Sequence, residues 1–491
     1  MWWEDRAVSE YQSFRQSAVI SHRQRARRVS LPVRHAAKYD FEEQSGTQTT
    51  PRRKHIGSDD MTHPVHLGLV GMGTVGTGVV RVLQDSADHI SRQAGRPIIV
   101  EHVVVQNPQK PRSIELPSDQ LSSDMSQITG NPSISVVAVL LGGLEPARTI
   151  CLDLLRSGKD LVTANKALLA EHGPELFHAA REAGRSIAFE AAIGGGIPIV
   201  AAISECLTGN RISSIPGILN ATSNFILTKM EQDGSAYQDV LALAQSEGYA
   251  EADPTMDVDG TDATQKLALL VHLAFGQWVP WASIPRFGLE SVDQELLRFA
   301  DELGCRIRVV ADASRGEKTL SLRVGPALVR KGTPLAETQG AFNAVSVVGD
   351  AVGPLFFHGL GAGQMPTASA VVADIIGTVV GRSAITFQQA SAVGMSPQSG
   401  TSIHGGQNPS FLRLHVADAP GVLADLTGIL GAEGISIDSV IQHPAEKEQS
   451  GVPLIIMTHC CPTEAVDRAV DALNKNPAVR SPICCLPVIN E

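Results

Sequence analysis

From Val65 onward the chain alternates between two patterns of hydrophobic and polar positions. Short runs rich in Val and Ile, such as "VHLGLV", "PIIVEHVVV" and "SISVVAVLL", predict buried strands, and the stretches after them place apolar residues at helical spacing. Strands that alternate with helices are typical of a parallel sheet with helices on both faces. We therefore predict an α/β, doubly wound domain over residues 62–190.

The pattern changes beyond Gly194. "RISSIPGILN" predicts a strand of a separate sheet, and the helical stretches after it predict an α+β domain over residues 191–345. The apolar stretch "GAGQMPTASAVVADIIGTVVGR" predicts a helix, and we expect segment 346–390 to return to the first domain and complete it. A Gly/Ser/Pro/Gln-rich linker, 391–409, comes next. Residues 410–491 then follow a strand–helix–strand–strand–helix–strand order, which predicts a ferredoxin-like βαββαβ module.

The N-terminal segment differs in composition from the rest of the chain. It is rich in arginine and lacks apolar periodicity, which predicts a disordered extension over residues 1–61 or a true start at Met61. A transit peptide is the alternative. Such peptides are usually poor in acids, whereas Glu4, Asp5 and Glu10 occur early here.

Charge and cysteine content limit the classes of partner. A formal net charge of -11 argues against a general nucleic-acid binder. No apolar run approaches the roughly 20 residues of a membrane helix. The seven cysteines have no CxxC spacing, which favours a reducing, cytoplasmic location over a disulfide framework or a zinc knuckle.

The stretch "GMGTVG" places Gly71, Gly73 and Gly76 at GxGxxG spacing between a predicted strand and a predicted helix. In that context glycines permit a tight turn and let a pyrophosphate approach the helix N-terminus, so we predict a Rossmann-type dinucleotide site. The second strand ends in "VVVQNPQKPR", without the acid that would hold the ribose 2′-hydroxyl of NAD, and with Lys110 and Arg112 following. NADP(H) is therefore favoured, and NAD(H) is possible.

The stretch "EADPTMDVDGTDATQK" carries five acids and ends at Lys266. Asp262 and Lys266 are four residues apart and share one face of a predicted helix. That spacing is compatible with a surface salt bridge and with a partly buried proton donor. Lys166, in "VTANK", begins another predicted helix, where a cation is unfavourable unless it meets an anionic ligand. Together with a nicotinamide, a lysine such as Lys266 would serve as the proton donor in carbonyl reduction.

These stretches resemble homoserine dehydrogenases. The resemblance rests on "VTANK", "EAAIGGGIPI", "GILNATSNFILT", "AQSEGYAEADPTMDVDGTDATQK" and "GAGQMPTASAVVAD", and it covers about Val65 to Gly381. The C-terminal module is similar to an ACT domain, with "DAPGVLADLTGIL" at its first strand–helix turn. No kinase domain is evident, so the chain resembles the monofunctional, ACT-bearing form rather than the bifunctional aspartokinase form.

The resemblance implies NAD(P)-dependent interconversion of L-homoserine and L-aspartate 4-semialdehyde, on the route to threonine, isoleucine and methionine. Lys266 would donate the proton, with Asp262 as its partner, and Lys166 would contact cofactor and substrate. Glu251 and Asp257 would bind polar groups of the substrate. The remaining acids of the stretch are expected to be turn and cap residues: Asp253 and Asp259. The expected cofactor contacts are Gly71, Gly73, Thr74, Val75, Gly76, Lys110, Arg112, Thr163, Lys166 and Gly363.

Two further ligands follow from the resemblance. The turn "EAAIGGGIP" resembles a monovalent-cation site (Na⁺ or K⁺) formed by backbone carbonyls, here those of Glu190, Ile193, Gly195 and Ile197; a structural glycine turn is the alternative. Paired ACT modules commonly bind an amino acid, and threonine is the expected effector, at Asp418, Gly421 and Leu423. The alternative is a dimerisation module without a ligand. A homodimer or homotetramer is expected in either case.

The chain departs from the family pattern at several positions, none of which is the expected donor: Val139, Ala221, Ser223, Leu360 and the "QN" that replaces an Arg-Asp pair at the second strand. Two other functions stay open. One is an amino-acid-sensing protein whose dehydrogenase half is inactive, against which the intact Lys266, Asp262 and Lys166 argue. The other is a different NAD(P) oxidoreductase on the same scaffold.

Overall fold

The computed structural model describes residues 63–250, 252–316, 319–392, 402–404, 406–443 and 451–489. The predictions for the N-terminal extension and for most of the linker therefore lie outside the described residues. No helix within these ranges combines the length and the apolarity of a membrane span.

The first sheet is parallel and has six strands: β1 Val65–Val70, β2 Ile98–Val104, β3 Leu121–Ser122, β4 Ile134–Val139, β5 Asp160–Thr163 and β6 Ile187–Ala188. Their order is β3-β2-β1-β4-β5-β6. This doubly wound order brings the carboxyl ends of β1 and β4, where the strand order reverses, side by side at a ligand-binding edge. The prediction of a Rossmann-type sheet is confirmed.

The helices of this part of the chain are α1 Thr74–Asp85, α2 Ala87–Ala94, α3 Ser126–Thr129, α4 Ala147–Arg156 and α5 Lys166–Glu182, with a 3₁₀ turn at Ser118–Gln120. The pattern predicts a strand throughout "SIAFEAA", whereas only Ile187–Ala188 is extended. A 3₁₀ turn at Glu190–Ala192 follows, because the chain leaves the sheet edge there and turns at Gly194 and Gly195, whose φ angles are 70° and 61°.

The second sheet begins with five antiparallel strands in the order β11-β10-β7-β8-β9: β7 Ile212–Ile218, β8 Cys305–Arg315, β9 Thr319–Arg330, β10 Phe342–Gly349 and β11 Gly353–Leu360. Its helices are α6 Ile199–Ala201, α7 Ala221–Asp233, α8 Tyr237–Ser246, α9 Thr255–Val258, α10 Thr261–Phe275 and α11 Gln294–Glu302. A π-helical turn, Ala202–Cys206, and 3₁₀ turns at Trp281–Ser283 and Leu289–Ser291 complete this part.

The return to the first sheet starts later than the predicted boundary at residue 346. Strands β10 and β11 belong to the second sheet, and the return to the first sheet begins with helix α12, Gln364–Val379. The Gln364 side-chain amide donates to the Thr74 carbonyl at 3.0 Å. A Cβ atom at Gly78 would lie 3.0 Å from that of Ala368, so a glycine is needed for this close approach of α12 to α1. Helix α13, Arg382–Ala392, follows.

The C-terminal module has the predicted βαββαβ order: β14 Ser410–Val416, α14 Val422–Ala432, β15 Ile437–Gln442, β16 Val452–Thr458, α15 Thr463–Leu473 and β18 Cys484–Ile489. Its antiparallel sheet runs β18-β14-β16-β15, which is the ferredoxin-like arrangement. Two short strands, β13 Gln407–Asn408 and β17 Cys461–Pro462, pair at its edge. The ferredoxin-like prediction is confirmed.

The junction between this module and the second sheet is a feature that the sequence pattern does not predict. Strand β18 pairs in parallel with β9, Val488 with Leu328 and Ile489 with Val329, so the two sheets are continuous. The Arg413 guanidinium also donates to carboxylates of the second domain at 2.6 and 3.2 Å, those of Asp293 and Glu295. Strand β12, Ser402–His404, pairs with β9 as well.

Candidate active site

Helix α10 carries the two residues on which the chemistry depends. It begins at Thr261, directly after Gly260, whose φ of 86° lets the acidic turn reverse into the helix. The Lys266 Nζ lies 2.7 Å from the Asp262 Oδ2, and their side chains are only 10% and 7% exposed. The predicted shared face is confirmed, and burial excludes a surface salt bridge.

Two residues at the end of β7 complete the surroundings of this pair. The Lys266 Nζ also donates to the Leu219 carbonyl at 2.7 Å. The Asn220 side-chain amide donates to Asp262 at 2.9 Å and to Asp257 at 2.7 Å, and so holds both carboxylates. Its Oδ1 accepts from the Ser223 backbone N–H and caps helix α7. The sequence pattern does not predict that Asn220 holds two carboxylates, although an asparagine between a strand and a helix is a cap signal.

A second lysine reaches the same carboxylate from the first domain. Lys166 begins helix α5, which Asn165 caps through the Leu168 backbone N–H. The Lys166 Nζ lies 3.0 Å from the other oxygen of Asp262, and its side chain is 36% exposed. Asp262 is therefore shared between a buried lysine and an accessible one, and three segments distant in sequence meet at a single carboxylate.

The protonation of this group follows from burial and from its neighbours. Burial alone would raise the pKa of Asp262, but the ammonium groups of Lys266 and Lys166 hold that pKa below its usual range. Burial lowers the pKa of Lys266; Asp262 opposes this effect and the charge of Lys166 adds to it. Burial and the nearby Asp262 charge raise the pKa of Asp257. A lysine whose pKa is lowered in this way can give up and regain a proton more readily than a free one.

The glycine turn connects β1 to α1 and fits a dinucleotide. Gly71 has a φ of 93°, and a Cβ atom at Gly76 would lie 2.3 Å from the Gly71 carbonyl oxygen, so both positions require glycine. A Cβ atom at Gly73 would meet nothing within 4 Å, which leaves the backbone open to a ligand at the start of α1. Thr74 and Val75 form the first turn of that helix.

The other expected cofactor residues differ in their surroundings. The Arg112 guanidinium donates to backbone carbonyls of its own loop, those of Asn107, Pro108 and Lys110. The Lys110 side chain is exposed. Thr163 is buried, and its hydroxyl donates to the Val139 carbonyl at 3.0 Å. Gly363 precedes α12 with a φ of 125°.

The turn after β6 presents backbone oxygens, as a monovalent cation requires. Within the described residues, the carbonyls of Ile193 and Gly195 accept no backbone hydrogen bond, while that of Glu190 accepts from Ile193 at 3.2 Å and that of Ile197 from Ile199 at 2.8 Å. The Glu190 carboxylate accepts from the backbone N–H groups of residues 200 and 201, each at 2.8 Å. Over the same residues, no His/Cys/Asp/Glu group of three or more is arranged to hold a metal ion.

Two of the acids in residues 251–266 are expected to be turn and cap residues, and their contacts agree with this. Asp253 accepts from the Thr255 backbone and hydroxyl, and Asp259 accepts from those of Thr261, so both are turn and cap residues. Glu251 lies outside the described residues. In the C-terminal module, the expected effector residues Asp418, Gly421 and Leu423 are all exposed.

Comparisons with known proteins agree with this architecture. Family models match residues 71–190 ("Homoserine dehydrogenase, NAD binding domain"), 198–376 ("Homoserine dehydrogenase") and 410–478 ("ACT domain"). The homoserine dehydrogenase of Pseudomonas aeruginosa is 40% identical over 425 residues, covering 86% of this chain and 98% of that protein. That of Synechocystis is 42% identical over 394 residues, covering 77% and 89%.

A solved structure gives the same result at the level of the fold. The crystal structure of a homoserine dehydrogenase from Thiobacillus denitrificans has a TM-score of 0.79 and 39% sequence identity, and the match covers 87% of this chain and 99% of that one. Nearly the whole length of these relatives is therefore matched, including the Rossmann sheet, the second domain and the ACT domain. On this basis the chain belongs to the homoserine dehydrogenase family.

Proposed function

We propose that the chain catalyses the reversible interconversion of L-homoserine and L-aspartate 4-semialdehyde with NAD(P)(H). The observation that carries this proposal is the buried Lys266–Asp262 pair, in a chain of this family and next to an accessible lysine, Lys166. A buried ammonium group that is held by one carboxylate and one carbonyl is a proton donor in a fixed position, shielded from bulk water.

The protein's part in the reaction is to hold and move one proton. When bound, the nicotinamide supplies hydride chemistry at the C4 carbonyl carbon. During reduction, the Lys266 Nζ donates its proton to the carbonyl oxygen as negative charge develops there, and in the reverse direction the neutral amine takes the proton from the hydroxyl. Asp262 orients Lys266, and Lys166 adds positive charge beside the developing oxyanion.

Two carboxylates, those of Asp257 and Glu251, would orient the substrate. Asp257, held by the Asn220 amide, faces the same group as Asp262 and would bind the substrate ammonium. Glu251 would be its second acidic contact. Two carboxylates on one ammonium fix the amino acid at a distance from the reacting carbonyl and give the site its preference for an amino-acid substrate.

For the cofactor we propose a preference for NADP(H). Residues 105–112, directly after β2, contain no acid for the ribose 2′-hydroxyl and present an exposed Lys110. Because the Arg112 guanidinium already donates to three carbonyls of this loop, it would shape the loop, and Lys110 would make the direct contact with a 2′-phosphate. A monovalent cation at the carbonyls of residues 190–197 and a homodimer or homotetramer complete the proposal.

Regulation by threonine through the ACT domain is the remaining part of the proposal. Its support is the presence of a complete ACT domain joined to the catalytic sheet through β18 and β9. The competing function, an amino-acid sensor with an inactive dehydrogenase half, does not require a buried Lys266 ammonium. The presence of this group therefore favours the dehydrogenase function.

A steady-state assay tests the function directly. The full chain is incubated with aspartate 4-semialdehyde and NADPH or NADH, with and without L-threonine, and homoserine is quantified by chromatography. We expect homoserine to form with both cofactors at a lower KM for NADPH, and Lys110→Ala to raise that KM about tenfold while leaving the KM for NADH unchanged. Cofactor binding without homoserine formation would favour the sensor function instead.

A further inference from the structure

A cleft of about 650 Å³ lies between the ACT domain and the second domain, away from Lys266. One wall is formed by β9 and the segment before α11, and the other by α15 and β18. The volume is that of a typical small-molecule pocket. Its lining contains none of the residues proposed to bind substrate, cofactor, cation or threonine.

On the β9 wall, Arg323 is a half-buried cation that has no ion-pair partner among the described residues. Its cross-strand neighbour on β8, Asp312, interacts with it electrostatically but is too far away to pair. Its guanidinium donates to the Pro326 carbonyl at 3.1 Å and stacks on the Phe287 ring at 4.6 Å. Among the described residues no carboxylate oxygen lies within 4.0 Å of it. Burial lowers the pKa of Arg323 to about 10, which an anion bound in the cleft would reverse. The other arginine of the cleft, Arg413, is already paired with Asp293.

On the α15 wall, Asp467 is the matching anion. Within the same described ranges no cation lies within ion-pair distance of Asp467 either. Burial and the charges of Glu464 and Asp471 raise its pKa, and Arg323 partly opposes this. Arg323 and Asp467 therefore face the same space with opposite charges but are too far apart to pair with each other.

We propose that this cleft binds a small zwitterionic amino acid, with its carboxylate on Arg323 and its ammonium on Asp467. A simple anion would meet the acids of α15, and a simple cation would meet Arg323. Only a ligand that carries both charges satisfies both walls. The site is distinct from the exposed Asp418 surface, and the proposal deepens the regulatory part of the proposed function, on which its effect on activity rests.

The cleft is connected to the catalytic helix through the segment 285–288. The Phe287 backbone N–H donates to the Val324 carbonyl, and the Val324 N–H donates to that of Pro285, each at 2.9 Å, beside Arg323. The next residue, Gly288, packs so closely on the acidic turn that a Cβ atom there would lie 2.9 Å from the Val258 carbonyl. Helix α10 starts at Thr261, three residues after Val258, so a shift of Phe287 on ligand binding would act on the start of the helix that carries Asp262.

Calorimetric titration of the full chain with L-threonine tests the proposal, in an Asp418→Ala background so that the exposed ACT surface does not contribute. We expect Arg323→Gln and Asp467→Asn each to weaken binding at least about tenfold. Asp438→Asn, an exposed ACT acid outside the cleft, is the matched control and should bind as the parent does. L-Threoninamide and N-acetyl-L-threonine, which each lack one charge, should bind at least about tenfold more weakly.

The proposal is overturned if L-threonine does not bind the Asp418→Ala chain, or if both cleft variants bind it as tightly as the parent. Should Arg323→Gln lower the melting temperature, the exposed Asp467→Asn decides the test alone. Homoserine oxidation is measured on the same samples. Binding of L-threonine without any turnover would contradict the proposed activity but not the proposed site in the cleft. Turnover together with unaltered binding in both cleft variants would contradict the proposed site but not the proposed activity.

Discussion

The nucleotide end and the lysine site of this enzyme are built in opposite ways. The nucleotide end is one short loop, Gly71 to Gly76, whose expected function depends on the open backbone at Gly73. The lysine site gathers groups from three separate segments around Asp262, and the role proposed for it depends on the buried Lys266–Asp262 pair. We therefore expect substitutions at the first to change nucleotide affinity and substitutions at the second to change turnover.

The largest effect should come from removing the proton donor. We expect Lys266→Met to lower kcat at least about 10³-fold, because general acid catalysis contributes on that scale and Asp262 loses its buried partner. Cofactor affinity, measured by NADPH fluorescence, should stay within about threefold of wild type. Lys266→Arg keeps the charge but not a proton that can be released, and should be nearly as slow. A fast Lys266→Arg enzyme would show that charge alone is needed.

Asn220 should be next in size, since it positions two carboxylates without touching the reacting atoms. We expect Asn220→Ala to lower kcat about 30-fold, within the range for losing hydrogen bonds to charged groups. Asn220→Asp keeps an oxygen to cap α7 but cannot donate to Asp257, so it should be at least as slow. If Asn220→Asp were as active as wild type, the amide bridge would not be needed for turnover.

At the nucleotide end, Gly73→Ala should separate cofactor binding from folding. The structure has room for the added methyl, so the melting temperature should not change. The methyl would stand where the pyrophosphate must approach the backbone, so the KM for NADPH should rise about tenfold with little change in kcat. Gly209→Ala, at another open loop position, is the control and should leave both values unchanged. An unchanged KM in Gly73→Ala would place the pyrophosphate elsewhere.

The smallest effect we predict is a shift in pH dependence. The positive charge of Lys166 helps to lower the pKa of Lys266, so Lys166→Met should raise that pKa. Homoserine oxidation needs the neutral amine of Lys266, and it increases as the pH rises through this pKa. The rise in the kcat profile for oxidation should therefore move to higher pH in Lys166→Met. A shift to lower pH would show that the rise in kcat reports the titration of a group other than Lys266.

The two regions also differ in how well they could be predicted. The GxGxxG loop and the Asp262–Lys266 spacing are local, and the sequence pattern alone places them on the correct elements. The sharing of Asp262 by Lys166, and the role of Asn220, depend on contacts between residues 37 to 96 positions apart, for which periodicity carries no signal. The same holds for the pairing of β18 with β9, and for strand β11 and the second half of β10, which lie beyond the predicted boundary at residue 346 but belong to the second sheet.

The parallel pairing of β18 with β9 has a practical consequence for any attempt to remove the proposed regulation. Cutting off the ACT domain would strip a neighbour from β9 and leave unpaired backbone groups on a strand made largely of apolar residues, which is a template for aggregation. If the truncated chain precipitated, its loss of activity could be misinterpreted as a requirement of catalysis for the ACT domain. For metabolic engineering, sensitivity to the proposed effector is better removed by point substitutions within the ACT domain that leave the pairing of β18 with β9 intact.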